Sequence, residues 1–259
     1  MSDLLTELQN RIFIITLNRV SKHNAFDDQL LSSLSKTLDE AIANPKVRVI
    51  ILKANGPHFC AGADLVWMLR MAEFSEEENQ KDAMILAKVM YSLSQSPKPT
   101  IAMIQGAAYG GGAGFAAACD IAIASTSAHF CFSEVKVGLI PAVISPYVIK
   151  AIGERAAKHL FITAESFDAA EAKQLNLVQH CVSETDLWPF TLSYAEKIAK
   201  LAPLAVAACK TLIEDVSGQA LSEKLMEYTA NVIAKKRVSA EGQHGLKAFL
   251  NKEIPDWNQ

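Results

Sequence analysis

Ile101-Ala-Met-Ile-Gln-Gly-Ala-Ala-Tyr-Gly-Gly-Gly-Ala-Gly-Phe-Ala-Ala-Ala-Cys-Asp120 is the stretch that decides how this chain reads. It begins as a short apolar strand, breaks at a glycine-rich turn, and continues as a small-residue helix opening near Gly111. Three consecutive glycines, Gly110, Gly111 and Gly112, leave the turn without side chains, so a ligand can approach the backbone closely. A helix starting there turns unpaired N–H groups and its positive dipole end toward whatever binds, which suits an anionic oxygen. No G-x-G-x-x-G runs through the turn and the strand lies far from the N-terminus, so a dinucleotide loop fits poorly. The missing Gly-Lys-Ser/Thr excludes a Walker A loop. Alone, the triplet also reads as a tight strand-to-helix turn that serves packing. A second stretch of bare backbone, Phe59-Cys-Ala-Gly-Ala-Asp64, and a downstream acid, Glu134, lift it above that.

Outward from this turn, strands alternate with helices. Arg11 to Leu17 and Val47 to Ala54 read as strands, the second apolar throughout its centre as expected for a strand covered on both faces. Between them, Leu30, Leu34, Leu38 and Ala41 recur at helical spacing over Asp27 to Ala43, and Asn44-Pro45 stops the run. Ser75-Glu-Glu-Glu78 is a capping-box pattern that opens a helix reaching about Ser94. Thr100 to Ile104, Ile121 to Ala124 and Ala128 to Phe132 read as strands, and Asp168-Ala-Ala-Glu171 as another capped helix. Beyond Thr185 the pattern is helical over about 187–200, 203–216, 220–236 and 240–251. The fold class is therefore α/β, with a core over 1–200 and a helical region over 201–259.

Half of the 259 residues are apolar, enough for a sizeable core, and the formal net charge of −3 gives no broad surface for nucleic acid or anionic lipid. Five scattered cysteines form no C-x-x-C pair and read as thiols of a reducing compartment. The six dispersed histidines offer no metal-ligand spacing. No basic region followed by an apolar run opens the chain, and no apolar run nears the roughly 18 residues of a membrane span, so a cytoplasmic location is expected.

The chemistry follows from the two bare loops. Two N–H groups converging on one oxygen stabilise charge that develops on a carbonyl, each donor being worth roughly 3 kcal/mol. The candidates are the N–H groups of Ala63 and Gly111. An enolate held this way still needs a proton carrier, and Glu134 sits among apolar residues that should raise its pKa toward neutrality. Taken alone, Glu134 also reads as a loop carboxylate paired with Lys136 or solvent, and Asp64 as the cap of the helix after it. No G-x-S-x-G nucleophile elbow is present.

At these residues the chain resembles the crotonase superfamily (enoyl-CoA hydratase/isomerase) over almost its whole length. The resemblance is carried by Leu17-Asn-Arg-Val-Ser-Lys-His-Asn-Ala25, Phe59 to Asp64, Gly106 to Asp120, Phe132 to Pro141 and Glu171 to Val178, in that order and spacing. Within the superfamily, Ser133 to Gly153 and Arg237 to Phe249 look most like the methylglutaconyl-CoA hydratase branch. The resemblance implies a spiral of ββα units with a C-terminal helical module that trimerises, often as a hexamer of two trimers. It implies an acyl-CoA thioester gripped by Ala63 and Gly111, with Lys22, His23 and Ala25 near the CoA adenine and phosphates. Ala61, Asp64, Leu65 and Val66 would line the acyl-pantetheine channel. Coenzyme A enters only as part of the substrate, and neither a metal nor a redox cofactor is implied.

One departure matters. Two-acid hydratases of this family carry a first glutamate where this chain has Gly114, so only Glu134 remains. The branch favours a hydratase of a short or branched 2-enoyl-CoA, ranked slightly first. The carboxylate count favours an isomerase, and an acyl-CoA-binding pseudoenzyme is the third reading. Glu73, Glu76 or a substrate's own carboxylate are the candidates for a missing acid. An RNA-binding relative of this branch uses a lysine-rich first helix. Here Asp27, Asp28, Asp39 and Glu40 face a single Lys36, so no nucleic-acid partner is expected.

Overall fold

The computed structural model describes residues 2–258; the outer ends of the expected core and tail, Met1 and Gln259, lie outside them. Its frame is a six-stranded sheet with a smaller three-stranded sheet beside it. The large sheet, in the order β1-β2-β3-β4-β6-β9, is built from Leu4–Gln9, Ile12–Leu17, Val49–Ala54, Thr100–Ile104, Ile121–Ser125 and His180–Val182. The small sheet is β5-β7-β8, from Ala107–Tyr109, His129–Cys131 and Phe167–Asp168. Successive passes of the chain give one strand to each sheet and then a helix: β4, β5 and α4 (Gly111–Ala118), then β6, β7 and α5 (Ser145–Thr163). This is a spiral of ββα units, as the resemblance implies. From β2 to β9 the large sheet is parallel, and only β1 pairs antiparallel to it.

The strand sequences explain why helices cover both faces. Side chains alternate with a period of two along a strand. On β2 and β3, Ile12, Ile14, Val49 and Ile51 point to one face and pack with Leu187, Ala195 and Ala199 of α7 (Leu187–Ala199). Ile15, Leu17, Ile50 and Leu52 point to the other, beneath α1 (Asp28–Ala43) and α3 (Glu76–Gln95). Leu30, Leu31, Leu34 and Leu38 of α1 are buried there, each side chain contributing about 1.5–3 kcal/mol of transfer free energy.

Expected helix starts coincide with real caps. Asp27 accepts the N–H of Leu30, Asp168 that of Glu171, and Ser75 and Glu78 form a reciprocal capping box. Helix α2 (Leu65–Met71) is capped by Asp64, and α6 (Ala169–Gln174) lies between β8 and β9. The strand expected from Val47 begins at Val49, and that expected from Arg11 begins at Ile12.

The four expected C-terminal helices are α7, then α8 (Pro203–Val216), α9 (Glu223–Val238) and α10 (Ala240–Asn251). Helix α8 is tied to the core by Lys210, whose ammonium lies 2.6 Å from the Asp120 carboxylate. Glu241 of α10 accepts the N–H groups of Leu204 and Ala205 at the start of α8. Neither α8 nor α9 has a fully buried residue, and Leu204, Ile213, Met226, Ile233, Phe249 and Leu250 of this region stand exposed. Among the described residues no helix is long and apolar enough to cross a membrane.

Candidate active site

Two loops meet at the end of β5. The bridge between Cys60 and Ala108 is made by Cys60 N–H donating to the Ala107 carbonyl (3.0 Å) and Tyr109 N–H donating to the Cys60 carbonyl (2.9 Å). Three residues on, Phe26 takes the other edge of the same segment. Its N–H donates to the Gly62 carbonyl (2.9 Å), and its carbonyl accepts the Asp64 N–H (2.8 Å). Extended backbone alternates direction at each residue, so pairing Gly62 and Asp64 with Phe26 turns the Ala63 N–H to the opposite side. The edge opposite Phe26 is the one on which Cys60 pairs with Ala107 and Tyr109 of β5. Among the described backbone pairs, the Ala63 N–H has no acceptor.

Gly111 is the second candidate donor. It is the first residue of α4, and the first turn of a helix leaves its N–H groups without intrahelical acceptors. Gly110 before it adopts φ +50° and ψ −119°, backbone that an L side chain rarely accepts, and its own N–H is fixed to the Cys131 carbonyl (2.8 Å). A Cβ on Gly111 would run into the Phe26 ring, which is wedged between Trp67 and Phe115 with ring centroids 5.8 and 5.6 Å away. The glycines are therefore required by packing, and that same packing leaves the amides bare.

Glu134 completes the arrangement. It opens a 3-10 turn, Glu134–Val137, closed by Gly138 in the left-handed region. Its carboxylate lies against Gly110: Oε1 is 3.1 Å from where a Gly110 Cβ would be. Oε2 is buried with no hydrogen-bond partner. Burial pushes the carboxyl above its ordinary range, opposed only by its own backbone N–H. Lys136 does not neutralise it, because the lysine Nζ lies 3.8 Å from Cys131 Sγ, and among the described residues no ion pair includes Glu134. The structure thus brings Glu134, Ala63 and Gly111 together from three separate parts of the chain.

The other expected contacts form one patch beside them. Ala25 N–H donates to the Lys22 carbonyl, and Ala61 N–H to the His23 carbonyl. Leu65 and Val66 are exposed on the first turn of α2. The Asp64 side chain is already engaged. It caps α2 by accepting the N–H groups of Val66 and Trp67, and it pairs with Lys22 (2.5 Å) and Arg19 (3.5 Å). Burial would raise its carboxyl, but the Lys22 ammonium and the two amides outweigh that and hold it below the ordinary range. Asp64 is an ionised cap, while its ion partner Lys22 stays half exposed.

At Gly114 the space for a side chain is occupied. A Cβ there would run into Ile144 and come within 2.9 Å of Met90 Cε. Glu73 and Glu76 are exposed beyond α2. The sequence pattern did not single out Ile144, Met90 or Asp82. The Asp82 carboxylate accepts the indole N–H of Trp67 at 3.1 Å and is pushed up by burial. It also did not reveal His58, whose Nδ1 accepts the Ala107 N–H (3.1 Å) and so braces β5 just before the glycines. Burial and the neighbouring His23 and His129 imidazoles lower its pKa, which keeps that nitrogen free to accept. Pro57-His-Phe59 beside the Cys-Ala-Gly-Ala-Asp loop was the available signal.

Free amides on two loops that meet beside a carboxylate whose pKa burial raises are the parts needed to stabilise and protonate an enolate. Known proteins identify the family. The family model for enoyl-CoA hydratase/isomerase matches residues 7–259. A crystal structure from Legionella pneumophila, described as an enoyl-CoA hydratase/isomerase (crotonase), is 65% identical over all of both chains with a TM-score of 0.96. An enoyl-CoA hydratase structure from Shewanella pealeana is 41% identical, covers 99% of this chain and 96% of that one, and has a TM-score of 0.95. The mitochondrial methylglutaconyl-CoA hydratase of Mus musculus is 32% identical over 96% of this chain and 80% of that protein. By fold, by sequence and by the loops that carry its bare amides, this chain belongs to the enoyl-CoA hydratase/isomerase, or crotonase, family.

Proposed function

We propose that the protein hydrates a short or branched 2-enoyl-CoA thioester of the methylglutaconyl-CoA kind. The thioester carbonyl sits between the N–H groups of Ala63 and Gly111, and Glu134 is the general acid/base. The observation that carries this reading is the Glu134 carboxylate on Gly110, with one oxygen buried and unpartnered. Such a group favours its protonated form more than a solvated carboxylate does, which suits an acid that hands a proton to an enolate carbon and takes one from water. Lys22, Ala25, Ala61, Leu65 and Val66 hold the CoA end and the pantetheine, with Asp64 fixing Lys22. No metal or redox cofactor takes part, because the amides do the work of a Lewis acid. The exposed apolar side chains of α8 to α10 support self-association, as a trimer or a pair of trimers, in the cytoplasm.

With Gly114 closed off by Ile144 and Met90, a second protein carboxylate has no room there. The substrate's own carboxylate then supplies the second acid, which is why a glutaconyl-type ester is the preferred substrate. The same observation favours a second reading, in which Glu134 only shifts the double bond between two carbons. Incubating the enzyme with glutaconyl-type and plain 2-enoyl-CoA esters in H₂¹⁸O separates them. Hydration puts ¹⁸O into the product, fastest with the carboxylate-bearing ester; isomerisation moves the double bond with no label.

A further inference from the structure

We infer that Ile144, backed by Met90, is the wall that ends the acyl pocket and so sets which acyl chains the enzyme accepts. This rests on the assignment of Ala63, Gly111 and Glu134 as the thioester site. One loop, from the end of β7 to the start of α5, touches α4 at two places. Glu134 meets it at Gly110, and Ile144, the N-cap residue of α5, meets it at Gly114. Those two glycines lie about 6 Å apart along the helix axis, by the rise of 1.5 Å per residue. The loop between them is braced, with Leu139 N–H donating to the Glu134 carbonyl (3.1 Å) and Ala142 N–H to the Ile140 carbonyl (2.8 Å). Gly110 and Gly114, four residues apart, share one face at the start of α4, and neither puts a side chain on it. A thioester held at Gly111 with its reacting carbons under Glu134 therefore faces a strip of α4 without side chains. Ile144 closes the far end of that strip against Gly114, and the fully buried Met90 Cε packs beside it.

Ile144 thus acts as a specificity-determining residue, and its β-branch is the part that matters. Ile144→Ala opens the end of the pocket but also removes buried volume and lowers stability. Ile144→Leu moves the branch from Cβ to Cγ, vacating the position against Gly114 at nearly constant volume.

The test is the ratio of Kd values for butyryl-CoA and octanoyl-CoA, saturated esters that bind without turning over, measured by calorimetry on the wild type and both variants. Wild type should prefer butyryl-CoA. Either folded variant should move the ratio toward octanoyl-CoA by about tenfold or more, the scale of pocket discrimination between neighbouring chain sizes. A purely packing role would lower the melting temperature and leave the ratio unmoved, which overturns this inference while the thioester site stands. A wild type that binds neither ester overturns both.

Discussion

Glu134→Gln should lower kcat by about 10²–10⁴-fold, the range lost with a general acid–base, and should make the protein more stable near neutral pH. The first effect follows because the carboxylate on Gly110, beside the Gly111 amide, is that of Glu134, and the space at Gly114 is filled by Ile144 and Met90. The second follows from linkage. Burial raises the Glu134 pKa in the folded protein, while the unfolded chain ionises near the ordinary value of about 4.3. The folded state therefore binds the proton more tightly. Its relative stability is full below that ordinary value and is lost as pH rises through the raised folded value. Glutamine stays neutral and escapes this loss, so its advantage in melting temperature should be larger at pH 8 than at pH 5. Kinetics with an enoyl-CoA ester and thermal melts at both values check the pair of effects. An active Gln variant, or one equally destabilised at both pH values, would show that Glu134 is an ordinary loop residue.

Removing the Gly111 donor should cost about 10²–10³-fold in kcat, the loss typical of one oxyanion contact. Proline suits the first residue of a helix, so Gly111→Pro deletes the N–H while keeping the helix start. The structure shows that this variant needs a partner change, because a Cβ at 111 runs into the Phe26 ring. The comparison is therefore Phe26→Leu against Phe26→Leu with Gly111→Pro. The smaller side chain makes room, and only the double variant lacks the amide. Affinity for a saturated acyl-CoA should change little, because the CoA end is held by the patch around Lys22. Equal rates in the two backgrounds would place the oxyanion contact elsewhere.

Much of this is legible in the sequence, for reasons visible in particular residues. Strands β2, β3 and β4 announce themselves because both faces are covered, which makes them nearly continuous apolar runs. Asp27, Asp64, Ser75 and Asp168 mark helix starts because their side chains have a local job that any context preserves. Other elements depend on partners distant in sequence. Strand β1 is an exposed edge with no buried alternation, and β5, β8 and β9 are two- or three-residue pieces defined by what they pair with. Helix α5 is interrupted at Gly153, with φ +77°, so its period breaks midway.

At the site, Glu134, Ala63 and Gly111 could be picked out because bare backbone and an acid in apolar surroundings are compositional signals. The reason for the glycines could not. Phe26 against Gly111 and Ile144 against Gly114 are meetings of residues tens of positions apart. For the same reason, the pairing of Asp64 with Lys22 and the pull of Lys136 toward Cys131 emerge only in three dimensions.

The central claim is that two main-chain amides from different loops hold the thioester oxygen while Glu134 faces the reacting carbons. A crystal structure of the full chain with an unreactive acyl-CoA thioester tests it most directly. The account predicts that oxygen at about 2.7–3.1 Å from both the Ala63 and Gly111 nitrogens, with the Glu134 carboxylate over the acyl carbons next to it. A thioester oxygen bonded elsewhere, or a Glu134 side chain turned out to Lys136, would contradict it.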